Sequence, residues 1–119
     1  MAITGLDHVQ LAIPAGGLED ERRFFCEHLG MHEVPRPTNM TFEGCWLEGG
    51  SASLHIGVDP DFTPAAKAHP AFLVVDAQAL RARLDAAGIA TKDGPPVEGY
   101  ERFFTSDPFG NRLEIMQKL

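Results

Sequence analysis

The chain has 119 residues, 44% of them apolar and 23% charged, a composition expected of one soluble domain with a real core. Ten basic against 17 acidic residues give a formal charge of −7; without a basic run, nucleic acid and anionic membrane are poor partners. No apolar run reaches the ~20 residues of a membrane helix. No signal peptide precedes the first strand, and Cys26 and Cys45 are too few for a disulfide framework. A reduced, cytoplasmic protein with packing cysteines is the expectation.

A first strand is expected over about 6–13, stopped by Pro14 and Gly16-Gly17. A helix over about 18–29 would turn Leu18, Phe25 and Leu29 inward and Glu19, Asp20, Arg23 and Glu27 toward water. Gly30 is placed to end it in a left-handed cap. Three strands follow, at about 32–36, 41–47 and 53–59, with Glu48-Gly49-Gly50 as the turn between the last two. The stretch 60–67 reads as a connector, and the pattern then restarts. A strand over 69–75 leads to a helix over 78–87 that presents Leu80 and Leu84 inward before Gly88. A loose edge element at 90–97 is interrupted by Gly94-Pro95-Pro96. Strands at 101–105 and 112–118 flank the turn Asp107-Pro108-Phe109-Gly110-Asn111. Each half is thus expected to be strand, helix and three strands, with module 1 at about 1–59 and module 2 at about 68–119.

The repeat carries donors at matching places. His8 and His69 open the two halves, and His55 and Glu114 sit on their closing strands, with offsets of 61 and 59 residues. Internal repeats of this kind point to a duplicated unit. Successive strand side chains alternate between faces. His8, Gln10 and Ala12 therefore share one side; so do Ser53, His55 and Gly57, and so do Arg112, Glu114 and Met116. The intervening hydrophobes face the helices, which leaves all four donors on the opposite, concave face.

Three imidazoles and a carboxylate suit one divalent ion such as zinc, nickel, cobalt, manganese or iron(II). Such an ion acts as a Lewis acid on substrate oxygens. His55 is either a fourth ligand or an acid–base group beside the metal. Glu114 has an alternative partner in Arg112 or a distant lysine. Arg112 and Tyr100 are candidates for substrate contact, Arg112 as a bidentate anion anchor. Arg102 depends on the strand register. Trp46, Phe103, Phe104 and Phe109 are pocket or core aromatics, and Gln10 and Met116 flank the metal side. His28 and His32, without repeat counterparts, read as surface or capping histidines.

Gly5-Leu6-Asp7-His8-Val9, His69 opening the second half, and Asp107-Pro108-Phe109-Gly110-Asn111-Arg112-Leu113-Glu114-Ile115 resemble the vicinal oxygen chelate superfamily. That group includes glyoxalase I, bleomycin-resistance proteins, fosfomycin-resistance thiol transferases, methylmalonyl-CoA epimerase and extradiol dioxygenases. The resemblance spans the chain. It implies an α+β fold of two tandem βαβββ modules forming an incomplete barrel, usually a homodimer, with modules paired within a chain or exchanged between chains. It also implies a metal on His8, His69 and Glu114, with His55 at the first module's closing-strand position, and catalytic roles for His55 and Glu114. Glyoxalase I-like enzymes typically carry glutamate where His55 stands, and fosfomycin-resistance enzymes commonly have threonine where Gln10 stands. Extradiol dioxygenases add histidine and tyrosine near iron, roles that His55 and Tyr100 could fill, but are mostly larger. A glyoxalase-like lyase or isomerase acting on a small oxygen-rich molecule is the expected function. The alternative is a bleomycin-resistance-type binder that sequesters its ligand without catalysis.

Overall fold

Runs of alternating residues set the faces of both sheets, and the computed structural model describes residues 2–119. The chain divides into two units, Met1–Thr63 and Pro64–Leu119. In the first, β1 (Val9–Ile13), α1 (Leu18–Arg23), β2 (His32–Val34), β3 (Gly44–Gly49) and β4 (Ala52–Val58) follow in order. Their sheet runs β1-β4-β3-β2, with β1 parallel to β4 and the other pairs antiparallel. Ile13, Cys45, Leu47, Leu54 and Ile56 line the buried face with Phe24, Phe25 and Met31.

The expected single helix changes type midway: α1 stops at Arg23, and Phe24–His28 continues as a π-helical turn. The wider turn buries consecutive phenylalanines, Phe24 and Phe25, edge to face at 5.2 Å. Gly30 does end the segment at φ 73°. Beyond it the Met31 N–H donates to the Phe25 carbonyl at 3.0 Å, one residue wider than the usual glycine-capped helix end. Glu21, which the sequence pattern did not mark, is fully buried on α1. The first strand begins at Val9 rather than Leu6, because Ile3 and Leu6 are more than four-fifths exposed and have no strand to join.

In the second unit, β5 (Ala71–Leu73), α2 (Ala77–Ala86), β6 (Tyr100–Ser106) and β7 (Arg112–Lys118) form a sheet ordered β5-β7-β6 under one helix. Asp76 caps α2 by accepting from the Ala79 N–H at 3.0 Å, and Leu80 and Leu84 are buried as their spacing predicts. Gly88 closes the helix at φ 77°, with the Ile89 N–H on the Leu84 carbonyl. The expected edge strand at 90–97 is reduced to an isolated bridge, Lys92 to Phe104. Two prolines in succession remove the donors a ladder needs there. The second half is therefore strand, helix and two strands plus a bridge, not three strands. The architecture is mixed α+β, with sheets of four and three strands, neither closed into a barrel.

The duplication is legible in the registers. Gln10 stands opposite His55 as Ala71 stands opposite Glu114; Trp46 pairs His55 as Phe104 pairs Glu114. Val34 pairs Trp46 as Lys92 bridges Phe104. Each closing-strand donor thus has an aromatic neighbour on its own face.

Candidate functional site

The strand parity places His8, Gln10, Trp46 and His55 on the face of the first sheet that α1 leaves bare, and His69, Arg102, Phe104, Arg112 and Glu114 on the corresponding face of the second. Each unit brings together one of the expected donor pairs.

In the first unit, the His8 Nδ1 is 2.8 Å from the Asp7 carboxylate. A carboxylate on one ring nitrogen fixes the tautomer and leaves Nε2 as the lone-pair atom. The His8 and His55 rings lie face to face, 3.8 Å apart and 18° from parallel, and Trp46 covers the other face of His55 at 4.0 Å and 3°. The resulting stack buries His55 to 9% exposure. Burial, and then the neighbouring His8, hold the His55 pKa below its ordinary value, so this imidazole is neutral at pH 7. Lone pairs of stacked imidazoles lie in nearly parallel planes, so these two rings do not converge on a common point. Gln10 is opposite His55 in register, and its amide lies over Gly57: a Cβ there would stand 2.5 Å from Gln10 Nε2.

In the second unit, His69 Nε2 is 2.9 Å from Glu114 Oε1, while His69 Nδ1 is 2.8 Å from the Lys67 carbonyl. A carbonyl only accepts, so Nδ1 carries the proton and donates. In the neutral ring, Nε2 then turns a lone pair toward a carboxylate oxygen. The conflict is removed by a cation shared between them or by an extra proton. A separation of 2.9 Å is that of a hydrogen-bonded His–Glu pair, and it also leaves both atoms close enough to bind one divalent ion at about 2.1 Å.

Arg102, whose place depended on register, is the partner of Glu114: its Nη1 donates to Glu114 Oε2 at 3.1 Å, and its Nη2 donates to the Pro95 carbonyl. Neither side chain is more than 13% exposed. The expected alternative, Arg112 on Glu114, is not the pair formed; Arg112 instead lies over the Phe104 ring at 4.1 Å. Strand parity is the signal that could have found it: Arg102 shares the face of Phe104, opposite Met116 and diagonal to Glu114. Tyr100 shares that face but pairs Lys118, four residues along β6 from Phe104, roughly 13 Å away. The structure does not bring it to Glu114.

The turn before β7 is built by Asp107. Its carboxylate accepts from the Phe109 N–H at 2.9 Å, the Asn111 N–H at 2.8 Å and the Asn111 side-chain amide at 2.7 Å. Gly110 takes φ 91°, a value that glycine adopts without cost. Asp107 and Asn111 are both buried. These residues are structural: they set the register that aims Glu114.

Within either unit, among the described residues, no group of three His, Cys, Asp or Glu side chains is set to hold a metal ion. Burial pushes the Cys45 thiol up to about 11 and raises Cys26 as well, which suits packing rather than nucleophilic duty. Among the described residues no helix is long and apolar enough to cross a membrane.

The sequence pattern of the Glyoxalase/Bleomycin resistance protein/Dioxygenase superfamily matches residues 5–115. The chain belongs to this superfamily. A crystal structure of a glyoxalase family protein from Bacillus anthracis superposes with a TM-score of 0.94 at 42% identity, covering 100% of this chain and 98% of the other. "Glyoxylase I 4" of Arabidopsis thaliana is 26% identical over 124 residues, 95% of this chain and 70% of its own. TnmS3, an antibiotic binding protein from Streptomyces sp. CB03234, has the same fold, with a TM-score of 0.76 at 20% identity over 100% and 99% of the two chains. The buried Asp107 and Asn111, and Glu114, fall inside the matched segment.

Proposed function

We propose that this chain is a divalent-metal-dependent enzyme of the superfamily, a glyoxalase-like lyase or isomerase acting on a small oxygen-rich molecule. The reading is supported by His69 and Glu114, whose Nε2 and Oε1 stand 2.9 Å apart while the His69 Nδ1 donates to the Lys67 carbonyl. His8 and His69 through Nε2, and Glu114 through Oε1, would hold the ion, the two units contributing from one chain or from two chains of a homodimer. Zinc, nickel, cobalt, manganese and iron(II) all accept this donor set.

When bound, the ion supplies Lewis acidity toward two neighbouring substrate oxygens. The remaining chemistry falls to side chains. Glu114 is committed at both oxygens, to Arg102 and to the His69 side, so it is a poor base. His55, neutral at pH 7 and covered by Trp46, is suited to take a proton from a carbon beside a polarised carbonyl. Replacing the glutamate usual at this position by an imidazole keeps a base of suitable strength. The Gln10 amide, opposite His55, is placed to orient a substrate oxygen.

Metal analysis of protein purified without chelator, with divalent ions then titrated into the stripped protein, tests the reading. One ion per donor set is expected, with binding lost in Glu114→Gln and in His8→Ala. Protein that takes up no divalent ion, and whose melting temperature ignores every one offered, would instead support sequestration of a small molecule on the Trp46–His55–His8 stack.

A further inference from the structure

An open cleft of about 500 Å³ lies within the second unit, between the residues just after the connector, the Ala90–Lys92 segment and β6. Two cations line it, Lys92 and Arg112, together with Ser106 and the edge of Phe104. No aspartate or glutamate does. Among the described residues neither cation has an ion pair, in a chain whose net charge is −7. The two belong to one surface by construction. Lys92 and Phe104 exchange both backbone hydrogen bonds at 2.8 Å, so their side chains share a face. Phe104 is opposite Glu114, and Arg112 is opposite Ser106 on that face. Arg112 lies over the ring with its Cζ 4.1 Å from the centroid, a cation–π contact that helps to order the guanidinium.

We propose that Lys92 and Arg112 form an oxyanion subsite that holds a phosphate, phosphonate or carboxylate group of a small-molecule ligand, beside the His69–Glu114 pair. The inference rests on the proposed function only for what the rest of the ligand does; the subsite itself needs no metal. Its charge explains the division of labour among the arginines. Arg102 neutralises Glu114, which leaves Arg112 and Lys92 uncompensated and facing the cleft. A ligand anchored through its anion would extend past Phe104, with its other oxygens toward Glu114. Substrates without an anionic group would lose this anchor, so the subsite sets the class of molecule accepted. The volume suits a metabolite-sized ligand, at the lower part of the usual range of about 300–1,000 Å³.

The test is titration of inorganic phosphate into the full chain, stripped of metal and then dialysed free of chelator, followed by backbone amide NMR at constant ionic strength. Sodium acetate serves as the carboxylate arm and sodium chloride as the control for general salt effects. Saturable shifts centred on Thr91, Lys92, Thr105 and Ser106 are expected with phosphate or acetate, whichever geometry the subsite prefers. Affinity should fall about tenfold or more in Lys92→Gln and in Arg112→Gln. Both residues lie outside the core, and melting curves will show that the variants remain folded. Shifts no different from those of chloride, or equal affinity in both variants, overturn the subsite. Because the protein is metal-free throughout, the two readings separate. Phosphate binding by a chain that takes up no metal leaves the subsite standing and sinks the enzyme. Metal uptake without anion binding does the reverse.

Discussion

The two units place equivalent residues on equivalent faces and then use them differently. In the first, His55 is sandwiched between His8 and Trp46 in a stack of three rings. In the second, Glu114 occupies the same register position beside Phe104, but it is tied to Arg102 and His69. The divergence follows from one neighbouring pair. Where the second unit has Arg102 opposite Met116, the first has Gly44 opposite Gly57. Two glycines leave no side chain to reach the closing-strand donor, so the donor settles against rings. An arginine supplies a charged partner, and Glu114 accepts from it at 3.1 Å. Duplication fixes where donors stand; the flanking pair decides what each donor touches.

The hairpin turns differ too, and they allow the harshest test of the comparison. Gly50 closes the first hairpin at φ 56°, whereas Asp107 organises the second through three accepted hydrogen bonds. Asp107→Ala leaves buried donors at Phe109 and Asn111, and should destabilise the chain by about 3 kcal/mol. Ser51→Ala, in the first hairpin, should change stability by less than about 0.5 kcal/mol. Urea denaturation measures both. Equal effects would mean that the closing motif is not the device that sets β7.

That motif shows what a single sequence can and cannot deliver here. The closing strand was legible to the residue, since Arg112–Lys118 alternates cleanly after a turn rich in Asp, Pro, Gly and Asn. So were the inward Leu80 and Leu84 and the face shared by His8, Gln10 and His55, because parity and helical spacing are local properties. The π-helical turn was not, because consecutive Phe24 and Phe25 fit an α-helix equally well on paper and only packing selects the wider ring. Arg102 was missed as the partner of Glu114 because pairing between β6 and β7 is a matter of register, which residues 106–112 set through hydrogen bonds invisible in composition. The lost edge strand was signalled by Gly94-Pro95-Pro96, yet the bridge at Lys92 that survives needs the sheet to be seen.

The charged cluster can be probed by a double-mutant cycle. Arg102 and Glu114 are both nearly buried, and removing one leaves the other charge without its partner. Arg102→Met and Glu114→Gln should each cost stability, and their combination should cost less than the sum, with a coupling of about 2 kcal/mol. A change beside the corresponding place in the first unit, Gly57→Ala, at the register counterpart of Met116, has a different outcome. The added methyl must displace the Gln10 amide, a flexible group that can move, so no coupling to Trp46→Leu is expected beyond about 0.5 kcal/mol. Additivity at Arg102 and Glu114 in denaturant melts would show that their contact contributes little to the folded state.

The smallest effect, and the one that isolates His55, is the response to pH. Folded His55 takes up its proton at a lower pH than an exposed histidine, chiefly because it is buried and then because His8 is adjacent. In the unfolded chain the same ring protonates as pH falls through about 6.5. Between those two points the unfolded state binds more protons, so stability rises with pH across the window. The contribution of neutral His55 is complete above the ordinary value, is lost as pH falls toward the folded value, and changes no further below it. His55→Gln removes this term while keeping a flat side chain under Trp46. Measured as unfolding free energy from pH 7.5 to pH 5, the native protein should lose more stability than the variant, and the difference should accumulate below about pH 6.5. Metal-free protein is the proper sample, since a bound ion near His8 would add its own pH dependence. Parallel curves would show that the stack does not hold this imidazole neutral, and the assignment of His55 as the proton acceptor would go with it.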